Sequence, residues 1–263
     1  MSAASPPPAL SAVVTRLRAA GCVFAEDEAR LLISAARTPA ELTDMVDRRA
    51  AGLPLEHVVG WAEFCGLRIA VTPGVFVPRR RTEFLVRQAI ALAHPRPVVV
   101  DLCCGSGAVG AALAAALGPV ELHAADIDPA SVACARRNLA AAGGRVCQGD
   151  LYEPLPAALH GRVDLLAANV PYIPTGEIGL LPAEARLHEP RAALDGGPDG
   201  LDVLRRVAAA APCWLAPGGH LLSETCERQA PRAVAALTGS GLVPRVARSE
   251  ELSATVVIGT RPA

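Results

Sequence analysis

The chain has 263 residues, with 25 basic and 26 acidic side chains and a net charge of −1, so no global positive field favours nucleic acid or an anionic membrane as partner. Apolar residues make up 51%, ample for a core, and the length admits one large domain or a small one beside a larger one. No apolar run is long enough to span a membrane, and the start Met-Ser-Ala-Ala-Ser-Pro-Pro-Pro lacks the basic and apolar regions of a signal peptide, so a soluble cytoplasmic protein is expected.

Every basic residue is arginine, a compositional bias that weakens arginine clusters as evidence. The eight cysteines form no Cys-x-x-Cys pair, so no metal site is expected and they read as buried free thiols in a reducing compartment. After a frayed proline-rich start, Leu10, Val13, Val14 and Leu17 recur at helical spacing, with Gly21 as the stop. Ala29, Leu32, Ile33 and Ala36 mark a second helix. Thr38-Pro39-Ala40-Glu41 is a capping box that opens a third, ending near Gly52. Together they predict a small helical domain over residues 1–60, either a packing element or a docking surface for a macromolecular substrate.

Phe64, Leu67, Ile69 and Val71, set around Gly66, predict a β-hairpin linker over residues 61–78. Arg79, Arg80 and Arg81 then read either as a phosphate or RNA grip or as a solvated face, before a helix through Phe84, Leu85, Gln88 and Leu92. The rest of residues 79–263 alternates strand and helix. Strands are expected at Val98–Leu102, Val120–Ile127, Val146–Gly149, Val163–Asn169 and Gly219–Thr225. Helices are expected at Ala108–Leu117, Pro129–Ala142, Leu201–Leu215 and Ala230–Leu237. The last two strands, Leu242–Val246 and Thr255–Ile258, are joined by a short polar connection. This pattern predicts an α/β fold: a Rossmann-like, mostly parallel sheet with one antiparallel strand at its edge, preceded by the small helical domain.

The organising stretch is the β-branched run that ends in Asp101, followed by Leu102-Cys103-Cys104-Gly105-Ser106-Gly107 and a helix. Strand, glycine loop and helix N-terminus make a cofactor cradle, because glycine lets the backbone approach a ligand and the helix offers free N–H groups. Gly105-x-Gly107-x-x-Gly110 also matches a dinucleotide fingerprint, with Asp126 where a ribose-binding acid would sit. Asp101 weighs against that reading, since a carboxylate beside the loop repels a pyrophosphate. The same carboxylate suits the amino group of S-adenosylmethionine (SAM).

In open α/β sheets the ligand groups sit at the carboxyl ends of the strands. Those ends read Asp101, Asp126, Asp150 and Asn169. Asp126 suits ribose hydroxyls, Asp150 an adenine amino group, and Leu151 a cover for the ring; helix capping is the competing role, strongest for Asp128. The fourth strand ends Asn169-Val170-Pro171-Tyr172. The Asn169 amide oxygen and the Val170 carbonyl, held by Pro171, can accept both hydrogens of a planar –NH₂ group, with Tyr172 packed over it. Such a nitrogen is a poor nucleophile, so orientation and a desolvated cationic donor must supply the acceleration.

At this point the chain resembles the HemK-like protein N5-glutamine methyltransferases. The matching stretches are Phe64 to Leu67, Val77-Pro78-Arg79, Thr82-Glu83, Asp101 to Gly107, Asp126, Asn138, Asn169 to Tyr172, and His188 to Gly197 followed by Asp199-Gly200-Leu201. The resemblance implies a class I SAM methyltransferase sheet and methylation of the glutamine in the Gly-Gly-Gln motif of a peptide-chain release factor. It further implies N-terminal helices that help to hold that factor. SAM would contact Asp101, Cys103, Cys104, Gly105, Ser106, Gly107, Asp126, Asp150, Leu151 and Asn169, and catalysis would fall to Asn169, Val170, Pro171 and Tyr172. Three positions depart from the family pattern. Val170 replaces a proline, Arg80 and Arg81 replace a proline and an acid, and Cys103 replaces a glycine. Two alternatives stay open: methylation of an exocyclic amine on nucleic acid or of another protein, and a non-catalytic SAM-binding protein. A dehydrogenase is disfavoured by Asp101.

Overall fold

Four helices open the residues described by the computed structural model, 8–263; the expected frayed start lies outside them. They are α1 (Pro8–Ala19), α2 (Ala25–Ala35), α3 (Pro39–Ala50) and α4 (Leu55–Val59), the last too short for the periodicity to mark. Leu17, Ala29, Leu32, Met45 and Val46 close a core of their own. At the start of α3 only half of the capping box forms. Thr38 Oγ1 accepts from the Glu41 N–H at 3.1 Å, while the Glu41 carboxylate accepts from the Arg37 N–H at 2.8 Å, one residue before the cap.

Strands β1 (Trp61–Phe64) and β2 (Leu67–Ala70) form the expected hairpin. Cys65 and Gly66, at φ 51° and 74°, give the paired left-handed values that let a two-residue turn follow the twist of the strands. Asn138 anchors the end of β2: it accepts from the Ala70 N–H and donates to the Ala70 carbonyl, both at 2.9 Å, and donates to the Ser106 carbonyl at 2.8 Å. Phe64 is fully buried, a burial that contributes roughly 1.5–3 kcal/mol.

The remaining elements are α5 (Glu83–Leu92), β3 (Val98–Leu102), α6 (Ala108–Leu117), β4 (Glu121–Asp126), α7 (Pro129–Leu139), β5 (Arg145–Gln148), β6 (Val163–Ala168), α8 (Ala183–His188), α9 (Asp202–Trp214), β7 (Leu215–Thr225), α10 (Ala230–Gly239), β8 (Val243–Ser249) and β9 (Ala254–Thr260). The seven strands from β3 onward form one sheet in the order β5-β4-β3-β6-β7-β9-β8. β5 to β7 pair in parallel, and β9 runs antiparallel to both β7 and β8. The reversed strand therefore lies one place in from the edge. Burial explains this order: β9 is buried along nearly its whole length, whereas β8 alternates with arginine and carries Pro244, which suits an edge.

Val99 packs on one face of the sheet with Leu85 and Leu113, and Val100 on the other with Leu204 and Val207, so helices cover both faces and the central strands read as apolar runs. Three boundaries differ from the sequence expectation by three residues or more, and the others lie within two. The α7 helix stops at Leu139 before a single 3₁₀ turn, β7 begins at Leu215, where its register against β6 shifts, and β8 runs on to Ser249. All eight cysteines are free, but only Cys22, Cys104 and Cys134 are buried, and Cys213 is exposed. No helix among the described residues is long and apolar enough to cross a membrane.

Candidate active site

The carboxyl ends of β3, β4 and β6 open onto one cavity of about 730 Å³. Asp101, Cys103, Cys104, Gly105, Ser106, Asp126, Asp150, Leu151, Asn169, Val170, Pro171 and Tyr172 all line it. Of the expected site residues, only Gly107 does not. Its φ of 77° starts α6, and a Cβ there would lie 3.1 Å from the Ala135 side chain, so this glycine serves the close packing of α7. Gly110 likewise makes room for Asp101, whose Oδ2 lies 3.2 Å from where a Cβ would stand.

Asp101 is buried, and its Oδ2 accepts from the Gly110 N–H at 2.9 Å. Burial raises its pKa from 3.8 to about 7, against the lowering effect of that hydrogen bond and with the Asp126 charge adding to the rise. A group so poised ionises readily when a cation arrives. Cys103 takes a left-handed φ of 53°, the conformation that a glycine adopts without penalty, and burial pushes its thiol pKa up, so it lies in the wall as a neutral side chain.

Asp126 is locked by two backbone N–H groups: Gly105 to Oδ2 at 2.8 Å and Asp128 to Oδ1 at 2.9 Å. Each oxygen keeps a lone pair for a diol. Burial raises the Asp126 pKa, and the two N–H groups oppose the rise. The capping alternative falls to Asp128, whose Oδ2 accepts from the Ser131 N–H at 2.8 Å. Asp150 pairs with Arg206 at 2.5 Å, a cation that the strand-end reading did not supply, and Leu151 sits beside it at φ 50°.

Asn169, in the cavity wall, carries the most informative atom of the site. Its Oδ1 is buried with no hydrogen-bond partner, while its Nδ2 donates to Thr82 Oγ1 at 3.5 Å. An unpaired buried acceptor is costly unless a ligand completes it. Thr82 in turn donates to Glu224 Oε2 at 2.7 Å. Glu224 Oε1 accepts from the Tyr172 hydroxyl at 2.8 Å and pairs with Arg81 Nε at 2.9 Å. Burial, and then the Glu224 charge, push the Tyr172 pKa up, so the phenol stays protonated and donates.

The arginine run is therefore neither a phosphate grip nor a solvated face at two of its three positions. Arg81 pairs with buried Glu224, and Arg79 makes contacts of 2.6 and 2.7 Å to Glu189, which also accepts from the Val77 N–H. This joins the Pro78–Glu83 stretch to the His188–Gly197 stretch. Gln229 holds the other side of the loop, donating to the carbonyls of Tyr172 and Asp199, both at 2.9 Å. Gly200, at φ 77°, passes so close to Tyr172 that a Cβ would stand 2.3 Å from its carbonyl oxygen.

Sequence reasoning missed Glu224, Gln229 and Arg206. Glu224 was within reach of the same rule, because it lies one residue before the end of the fifth parallel strand, as Asn169 lies one residue past the end of the fourth. Gln229 and Arg206 gave no signal, since each acts through a contact between segments distant in sequence. Among the described residues, no group of three His, Cys, Asp or Glu side chains is placed to hold a metal. The donor set fits SAM: Asp101 for an ammonium, Asp126 for a ribose diol, and a cavity of the size that small-molecule cofactors fill.

A family model described as "Methyltransferase small domain" matches residues 66–198, about half of the chain. The chain is 44% identical over 182 residues to the release factor glutamine methyltransferase of Geobacter sulfurreducens, a match over 68% of this chain and 63% of that protein. It is 40% identical over 211 residues to the enzyme of the same name from Mycolicibacterium smegmatis, over 80% of this chain and 74% of that one. At 39% over 193 residues it also matches the 4-amino-L-phenylalanine/4-methylamino-L-phenylalanine methyltransferase of Streptomyces pristinaespiralis, over 71% and 65%. Among solved structures, a methyltransferase from Pyrococcus furiosus aligns at TM-score 0.57 and 15% identity over 75% of this chain and 90% of that one. Ribosomal protein L11 methylase from Lactobacillus delbrueckii subsp. bulgaricus aligns at 0.51 and 18%, over 70% and 81%. At such identities these two show the fold alone, that of a class I SAM-dependent methyltransferase. The sequence relatives go further, and on their identity and reach the chain belongs to the release factor glutamine methyltransferase family.

Proposed function

We propose that this protein transfers a methyl group from SAM to the side-chain amide nitrogen of a protein glutamine, that of the Gly-Gly-Gln motif in a peptide-chain release factor. The observation that carries the reading is the buried, unpartnered Oδ1 of Asn169, a residue that lines the cavity. It is an acceptor with no donor, which is what an incoming amide N–H requires. SAM, when bound, supplies an electrophilic methyl group on a sulfonium. Asp101 holds its ammonium, Asp126 its ribose hydroxyls, and Asp150 with Leu151 its adenine.

Asn169 and the Val170 carbonyl each accept one amide hydrogen of the glutamine, turning the nitrogen lone pair toward the methyl. Tyr172 limits the room on the other face of the planar group. Transfer forms one N–C bond and breaks one S–C bond, and one proton leaves the nitrogen for water. No side chain need act as a nucleophile; alignment in a water-poor cavity provides the acceleration. We assign residues 1–60 to docking the release factor, 61–78 to the link and 79–263 to transfer. The separate core of α1–α4 supports that division.

The test is methyl transfer from labelled SAM to purified release factor, with peptide mass spectrometry locating the label. Label on the Gly-Gly-Gln glutamine is expected. Asn169→Ala should abolish transfer while SAM binding stays close to wild type, and Asp126→Ala should weaken SAM binding by about 1.5–3 kcal/mol, the range for a hydrogen bond to a charged group. No label on release factor, with transfer to 4-amino-L-phenylalanine instead, would overturn the assigned acceptor. Equal loss of SAM binding in both variants would overturn the division of roles.

A further inference from the structure

The Asn169 carboxamide has two ends of nearly the same shape, and only one of them can do the proposed work. Its oxygen accepts an acceptor N–H; its –NH₂, if turned into the cavity, would face another –NH₂ and repel it. Nothing in the side chain itself chooses between the two orientations. The choice must come from what touches the other end.

We propose that Thr82 and Glu224 are positioning residues that fix the polarity of the Asn169 amide, so that Oδ1 rather than Nδ2 meets the acceptor. The inference rests on the reading of Asn169 given above. An ionised carboxylate only accepts hydrogen bonds. Glu224 is buried at the end of β7 and takes donors from three sides: Arg81 Nε at 2.9 Å, the Tyr172 hydroxyl at 2.8 Å and Thr82 Oγ1 at 2.7 Å. Thr82 is also buried, and its one hydroxyl proton points to Glu224. Its oxygen can then offer Asn169 nothing but a lone pair. Asn169 must present its –NH₂ there, at 3.5 Å, and its oxygen is left buried without a partner at the cavity wall that Asn169 lines.

Proton direction thus passes from a buried negative charge through one hydroxyl to the orientation of one amide. Arg81, with Nε 2.9 Å from the Glu224 carboxylate, supplies the counter-charge that a buried acid requires. Arg81 is also one of the positions where this chain departs from its family's usual acid. That departure places the cation on the positioning network, not against the cofactor.

Three near-isosteric variants test the proposal: Thr82→Val, Thr82→Ser and Glu224→Gln, each measured for kcat, for KM of the unmethylated release factor and for SAM affinity by calorimetry. Thr82→Val and Glu224→Gln should lower kcat at least about tenfold, about 1.4 kcal/mol, because a misdirected amide no longer turns the acceptor lone pair toward the methyl. SAM affinity should hold, and Thr82→Ser should restore kcat. Unchanged kcat in Thr82→Val, no rescue by serine, or a parallel fall in SAM affinity would each overturn it. Wild-type protein that methylates no release factor would instead count against the acceptor assignment. A second readout needs no acceptor: nuclear Overhauser contacts from the Asn169 side-chain N–H protons to the Thr82 side chain. They are expected in the wild type and lost in Glu224→Gln; their absence from the wild type would sink the proposal.

Discussion

Asp101 shows how one buried side chain links folding to ligand binding. In the protein without SAM its pKa is raised to about 7 from 3.8, burial being the main cause. Between those two values the folded state holds a proton that the unfolded state has lost. Stability therefore falls as pH rises across that window, and is greatest on its acid side. Binding of an ammonium runs the other way, because the cation needs the carboxylate ionised. SAM affinity should strengthen up to about tenfold per pH unit below about pH 7 and level off above it. Calorimetry in buffers of different ionisation heat checks this, with proton release on binding at low pH. Asp101→Asn should flatten the profile and weaken binding; a wild-type affinity independent of pH would refute the assignment of Asp101 to the ammonium.

The segment between β6 and α9 acts as one element although it contains only a single short α-helix. Ile173 pairs with the Leu194 and Gly196 backbones at 3.0 and 2.9 Å, Asp195 accepts from Thr175 at 2.6 Å, and Gln229 ties Tyr172 to Asp199. Gly200 is the closest point of that contact. Gly200→Ala adds a Cβ at positive φ against the Tyr172 carbonyl, and should cost about 1–3 kcal/mol in backbone strain, with the Asn169–Tyr172 loop displaced. A urea midpoint and kcat should fall together. Gly176→Ala, where a Cβ meets nothing within 4 Å and φ is not positive, is the control and should change neither.

At the scale of the molecule, Arg49 ties the N-terminal helices together and to the cavity rim. Buried in the bundle, it donates to Glu28 at 2.6 and 3.1 Å, to the Leu53 carbonyl at 2.9 Å, and to Glu184 of α8 at 2.5 Å. Glu184 itself lines the cavity, so the bundle and the cavity wall share a contact. Removing one member of a buried pair strands the other charge. Arg49→Met should destabilise the protein by about 3–5 kcal/mol by thermal or urea unfolding. Glu184→Gln, at a half-exposed partner, should cost less than about 1 kcal/mol. Equal effects of the two would mean that burial does not govern this network.

The sequence alone determined the alternation of strands and helices, the hairpin and the strand ends that carry Asp101, Asp126, Asp150 and Asn169. Each follows from local rules: apolar periodicity, turn residues, and the placement of polar groups where strands stop. It carried the departures at Cys103, Arg81 and Val170 as well, but not what two of them do. That Gly107 faces α7 and not the cavity, that β9 lies inside β8, and that Arg79 and Arg81 meet Glu189 and Glu224 were decided only by tertiary structure. These are contacts between segments tens to over a hundred residues apart. No periodicity records them, because a buried charge is matched by whichever strand or loop the fold brings beside it.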